Sequence, residues 1–260
     1  MNINLKTKSL PALTAGLGLI ALILRMGLYL LGTDEKGLLI PMYPLDILVW
    51  VVTAAAVVLS LVSVWKLDGS SRYGDNFTAS TPAAMGCFAL AGGIAASVIT
   101  DWDAWTRLEL IRNFCGLLAI PAILWVGLCR RQGKRPFFLF HAVVCLYLTL
   151  YSVSHYQLWS SRPQLQDWFF SMAGAVLLTL FAYYQTAFDA SMGKRRMQLA
   201  TGLLAAFFCI AAAAAGEDML LYIGGAVWTL TNLCSLTPVK RRRRPNPITE
   251  AAKDDSHESA

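Results

Sequence analysis

The sequence predicts an all-α integral membrane bundle of eight transmembrane helices, arranged as four hairpins, with both termini cytoplasmic. Three observations predict it. Long apolar stretches alternate with short polar connections, and the chain is 56% hydrophobic but only 15% charged. A soluble domain is about 25% charged, and the polar sequence here is too scarce to build a water-facing exterior. The basic residues crowd into every second connection and acids fill the others, which is the charge asymmetry of a polytopic membrane protein. An even number of spans then puts both basic termini on the same side.

The basic connections hold Lys6 and Lys8, then Lys66 and Arg72, then Arg130, Arg131, Lys134 and Arg135, then Lys194, Arg195 and Arg196, then Lys240 to Arg244. The acidic ones hold Asp34 and Glu35, Asp101 and Asp103, Asp167, and Glu217 with Asp218. Only Lys36, Arg107, Arg112 and Arg162 fall on the acidic side, and Arg25 lies inside a span. A seven-span reading would place the terminal arginine cluster on the wrong side.

The first span covers 10–31. Crossing the hydrocarbon core takes about 20 residues, and this run has that length. It is followed by Gly32-Thr33-Asp34-Glu35-Lys36 with no small-residue cleavage motif, so a retained helix is expected rather than a signal peptide. The connection to Pro44 turns apolar in its second half and is expected to skim the membrane surface. The second span is 45–65 and the third 82–100. The third pairs Ala89 with Gly93 and Gly92 with Ala96, as the first pairs Ala12 with Gly16. Small residues four apart let helix backbones approach closely.

The fourth span, 109–129, opens on Arg107, Glu109, Arg112 and Asn113. The fifth, 137–158, is the most polar, and His141, Cys145, Ser152 and His155 fall near one face. At the inner end of the sixth, 168–188, lie Tyr183, Tyr184, Gln185 and Asp189, and the tyrosines are read as interfacial belt residues. The tryptophans, Trp228 included, are read the same way. The seventh, 198–215, and eighth, 219–238, carry Gly202, Ala206, the run Ala211 to Ala215 and the pair Gly224–Gly225, a second set of close-packing faces. Even-numbered spans begin on Asp46, Glu109, Asp167 and Asp218, where a carboxylate answers the helix dipole and its free amides. The membrane domain is therefore residues 1–240, and residues 241–260 form a basic and then polar, disordered cytoplasmic tail.

The formal charge of +6 does not imply nucleic acid, because the basic residues flank spans. Membrane lipids, with anionic headgroups at the cytoplasmic basic loops, are the expected partners, and a protein partner or second copy stays open. The six cysteines all lie in apolar stretches and form no C-x-x-C pair, so they read as packing residues. His141 and His155 are 14 residues apart, a rise of about 21 Å, too far to share a metal. No cofactor, metal or catalytic residue is expected. Walker A, H-E-x-x-H and G-x-S-x-G signatures are absent, so an enzyme is disfavoured.

Intramembrane ionisable residues mark functional candidates. Arg25 needs a partner or a path to the headgroups, and Asp46 and Glu109 lie at similar depth. Glu109 and Arg112 are spaced to pair along one helix face. The expected site is an outward-open cavity lined by Arg25, Glu109, Arg112, Asn113, Tyr151 and His155. Its arginines would neutralise a substrate's charge, and His155 or Glu109 would exchange a proton. The leading expectation is a permease, or permease subunit, for a small polar or anionic solute in the cell membrane. A non-transporting sensor or scaffold, and a lipid-acting intramembrane enzyme, remain the alternatives.

Overall fold

A computed structural model describes residues 3–32, 40, 43–65, 70–102, 106–160, 165–216 and 218–237, without the side chains of 3–8, 158–160 and 165–167. Residues 241–260, Asp34, Glu35, Asp103 and Glu217 lie outside the described residues, as does the side chain of Asp167. Nine α-helices are described: α1 Ile3–Leu31, α2 Pro44–Val64, α3 Tyr73–Asn76, α4 Thr81–Thr100, α5 Arg107–Gln132, α6 Phe138–Ser160, α7 Leu165–Asp189, α8 Arg195–Ala212 and α9 Met219–Cys234. Among the described residues there is no strand, only an isolated bridge between Phe77 and Leu236.

Helix ends follow local chemistry. Ser80 accepts from the Ala83 amide at the start of α4, and proline follows in the first turn, where its missing N–H costs nothing. Thr106 and Glu109 form a reciprocal capping box on α5, and Gly133 closes that helix at φ +69°. A 3-10 turn over Ala213–Ala215 ends the α8 run. Gly216 and then Asp218, both at positive φ, turn the chain into α9.

Seven helices are long and apolar enough to cross a membrane, and α9 is an apolar helix of 16 residues. The expected eighth span, 219–238, is thus shortened at its end. After Cys234 the chain leaves the helix, Leu236 bridges Phe77, and the Thr237 amide bonds the Asn76 carbonyl. The connection between the second and third spans supplies that partner through the one-turn helix α3.

Helices α4 to α9 pack as a closed ring: each touches the next, and α9 returns to α4. The α1–α2 hairpin lies outside the ring, chiefly against α8. The seam between α4 and α9 is backbone on backbone. A Cβ on Gly93 would stand 2.6 Å from the Leu220 carbonyl oxygen, and one on Gly224 2.6 Å from that of Ala89. The small faces expected of the third and eighth spans therefore meet within one chain. Gly16 behaves otherwise, since a Cβ there would meet nothing within 4 Å. Trp228 is also unlike a belt residue: it is fully buried within the ring, edge-on to Phe181 at 4.9 Å.

Candidate functional site

At one end of the ring, four helix ends bring charged groups together. The capping box fixes the start of α5, and Arg112 follows on its buried face. The Arg112 guanidinium donates to the Asp101 carboxylate at 2.8 Å, to Ser154 Oγ at 3.1 Å and to Asn113 Oδ1 at 3.2 Å. Asn113 in turn donates to the Asp101 carbonyl at 2.8 Å. Asp101 is the residue that follows α4, so this contact ties α4 to α5.

His155 lies one step further in. Its Nε2 is 3.1 Å from the Asp218 carboxylate, and its Nδ1 is 3.0 Å from the Tyr151 carbonyl and 3.5 Å from Arg112. Both ring nitrogens therefore face an oxygen acceptor. The ring stacks on Tyr151 at 4.0 Å between centroids. Tyr151 donates to the same Asp218 oxygen at 2.8 Å, and Tyr222 donates to the Ser171 carbonyl at 3.0 Å. Arg112, Asn113, Tyr151 and His155 are all buried, while the Asp101 side chain is 28% exposed and forms the solvent-facing edge.

The two carboxylates differ. Burial pushes the Asp101 carboxyl above the ordinary carboxylate range, against the opposing pull of Arg112, and the nearby charge of Asp218 adds to the rise. For Asp218 burial also raises, but hydrogen bonds and charge from His155, with hydrogen bonds from Tyr151 and Ser97, outweigh it and hold the group low. Carboxylates pushed apart in this way are a known basis for acid and base roles. Donor atoms of Asp101, His155 and Asp218 also lie within 4.8 Å of one another, a spacing compatible with a metal ion. Arg112 already holds one Asp101 oxygen, so a cation binding there would share that carboxylate with a guanidinium.

Of the six residues expected from sequence, four meet here: Arg112, Asn113, Tyr151 and His155. Glu109 is turned back to its own helix start, accepting from Thr106 Oγ1 at 2.6 Å and from the Thr106 amide at 3.1 Å. The local Glu109–Arg112 pairing is replaced by Arg112–Asp101. Arg25 lies at the hairpin contact, donating to the Ala211 carbonyl at 2.6 Å and to Tyr29 at 2.7 Å, with its guanidinium 4.4 Å from the Phe170 ring centroid. Asp101, Asp218, Ser154 and Tyr222 complete the cluster, and sequence reasoning does not mark them as site residues. By sequence Asp218 is a helix cap. Its left-handed backbone instead leaves the side chain with no capping bond, free to face His155.

The opposite end of the ring holds a second buried cluster. Arg130 donates to Tyr73 Oη at 3.2 Å and to Asn232 Oδ1 at 2.6 Å. Arg195 donates to Asn76 Oδ1 at 2.9 Å and to the Thr237 carbonyl. His141 Nδ1 is 2.5 Å from Asp189. Both arginines belong by sequence to the topological charges, yet both are buried, and they pin α3 over this end of the ring. Helical spacing carries the signal: Ile123, Val126, Gly127 and Arg130 share the buried face of α5, whereas Arg131 is exposed.

No family model, curated protein or solved structure matches the chain.

Proposed function

We propose that this chain is a multi-pass permease, or the membrane subunit of one, that moves a small polar or anionic solute along the axis of the α4–α9 ring. The observation that supports it is the pair of buried charged clusters at opposite ends of that ring, with Tyr147 and Trp228 buried between them. Burying ionised groups within a bilayer-spanning bundle is costly, and such groups characteristically mark solute and proton pathways. A scaffold needs neither cluster.

In this reading α9 crosses as the eighth span and forms one wall of the ring. The Asp101 end faces outward and the Arg130 end faces the cytoplasm. Exposed Arg131, Lys134, Arg135, Lys194 and Arg196 meet anionic headgroups there. Arg112 is the outer anion contact and Asp101 its resting counter-ion. Protonation of Asp101 frees the guanidinium for an arriving anion, and the His155–Asp218 pair takes or returns the coupled proton.

The test is flux. Full-length protein in proteoliposomes holding a pH-sensitive dye is offered inorganic phosphate, acetate, lactate and succinate under an inward proton gradient. Solute-dependent acidification is expected for at least one of them. It should be abolished by Arg112→Gln and lose its pH dependence in Asp101→Asn. No solute-driven proton movement and no uptake of any labelled anion would reject transport and leave the sensor or scaffold reading in its place.

A further inference from the structure

At the Arg130 end, five ring helices turn polar side chains inward: Arg130 from α5, His141 from α6, Gln185 and Asp189 from α7, Arg195 and Gln198 from α8, and Asn232 from α9. Arg130 is 1% exposed, Arg195 3%, Gln198 1%, and Gln185 and Asp189 fully enclosed. The groups are linked. Arg130 and Arg195 bond Tyr73 and Asn76 of the same one-turn helix. Asp189 joins through His141, whose ring is 6.1 Å from that of Trp228, one turn before Asn232 on α9. The charges of Arg130 and Asp189 are both felt at the Tyr73 hydroxyl.

The hydrogen bonding is incomplete in a consistent way. The Nε of Arg130, the Nε of Arg195, both amide atoms of Gln185 and of Gln198, and Oδ1 of Asp189 have no hydrogen-bond partner among the described residues. Every group that the two guanidiniums do bond is neutral: a phenol, two amide oxygens and a carbonyl. Neither has a carboxylate within 4.0 Å among the described residues. A buried unsatisfied polar group destabilises the fold, and an uncompensated buried cation does so more strongly. Native proteins leave few such groups. Set at the same end of the ring, they describe what completes them. The guanidinium and amide N–H groups call for an acceptor, and two cations without a carboxylate favour one that carries negative charge. The free oxygen of Asp189 would repel a bare anion, but it accepts from one that carries its own O–H.

We propose that this cluster binds a small oxyanion bearing a hydroxyl, of which inorganic phosphate is the simplest. Arg130 and Arg195 supply the charge, the Gln185 and Gln198 amides donate to the remaining oxygens, and the ligand hydroxyl donates to Asp189. Enclosure by five helices favours a free solute over a lipid headgroup. The proposal does not rest on transport, and its test measures binding alone.

Full-length protein in discs of phosphatidylcholine is titrated with inorganic phosphate by calorimetry, with sulfate and chloride at matched ionic strength as comparisons. Saturable phosphate binding is expected, with sulfate weaker because it has no proton for Asp189. Arg195→Gln should weaken phosphate roughly tenfold or more. Because Arg130 and Arg195 also hold α3, Gln185→Leu and Gln198→Leu provide the second measurement. Each removes a buried amide without a partner, so each should raise the thermal midpoint without phosphate and still weaken phosphate about tenfold. A merely structural amide would not do both. The proposal is overturned by the absence of saturable phosphate binding, by unchanged phosphate affinity in both glutamine variants, or by binding that arises only when phosphatidic acid is in the disc.

Discussion

Asp101 and Asp218 serve one cluster but answer pH in opposite senses. Asp218 is held below its ordinary range, so its contribution to stability is present above about pH 3.9 and is lost as pH falls through its folded value. Asp101 is raised, so its contribution is complete below that pH and is lost as pH rises through its folded value. Asp218→Asn should therefore destabilise the protein at pH 7 by about 1–3 kcal/mol, with the difference closing as pH drops below about 4. Asp101→Asn should cost less at pH 7, because the neutral amide replaces a charge that burial already disfavours. Thermal melts of both variants in detergent across that pH range check the pair. A larger loss at neutral pH for Asp101→Asn than for Asp218→Asn would contradict the assignment. At this scale the sequence is partly legible. His155 and Tyr151 stand out because polar residues are rare in a span. Asp101 and Asp218 do not, since an acid at a helix end already has an ordinary explanation, and only the backbone turn at Asp218 shows that it is not capping.

Among the elements, the α4–α9 seam makes the sharpest demand on side-chain size. A methyl group at Gly224 would press on the Ala89 carbonyl of another helix backbone, which cannot swing aside like a side-chain tip. Gly224→Ala and Gly93→Ala should each cost about 1–3 kcal/mol by overpacking. Gly92→Ala, with nothing within 4 Å of its Cβ, should stay within about 0.5 kcal/mol of the parent. Comparative melts of the three variants decide it, and equal tolerance at Gly92 and Gly224 would deny the seam. The span positions are legible because length and hydropathy are properties of single segments. Small-residue spacing on the third span is legible for the same reason. Which helix meets that face is not, because pairing depends on two segments far apart in the chain, one holding Gly93 and the other Gly224. The shortening of α9 is hidden for a related cause: its last turn is exchanged for contacts with Phe77 and Asn76, which no local pattern announces.

For the molecule as a whole, the proposed orientation, drawn from the charge asymmetry, puts the two ends of the ring in different compartments. In a background lacking the native cysteines, Trp102→Cys, exposed at the Asp101 end, should react with an impermeant thiol reagent on intact cells. Met192→Cys, exposed near the Arg130 end, should react only after permeabilisation. Labelling of Met192→Cys on intact cells would invert the orientation and, with it, the outer and inner roles assigned to the clusters. That expected orientation rests on the placement of lysine and arginine alone. The ring itself, and its division from the α1–α2 hairpin, follows from packing between elements and leaves no mark in the distribution of charge.

Closure of the ring by its first and last helices also sets an order of events during synthesis. While the ribosome is still making α5 to α8, α4 already sits in the membrane with its Gly-Ala face open. Arg130 then lacks Asn232, and His155 lacks Asp218. One short helix, arriving last, completes the seam and both polar ends together. The interval before it arrives exposes buried-type cations and a bare backbone groove to lipid. A nascent chain stalled before α9 should therefore present the features that membrane quality control degrades.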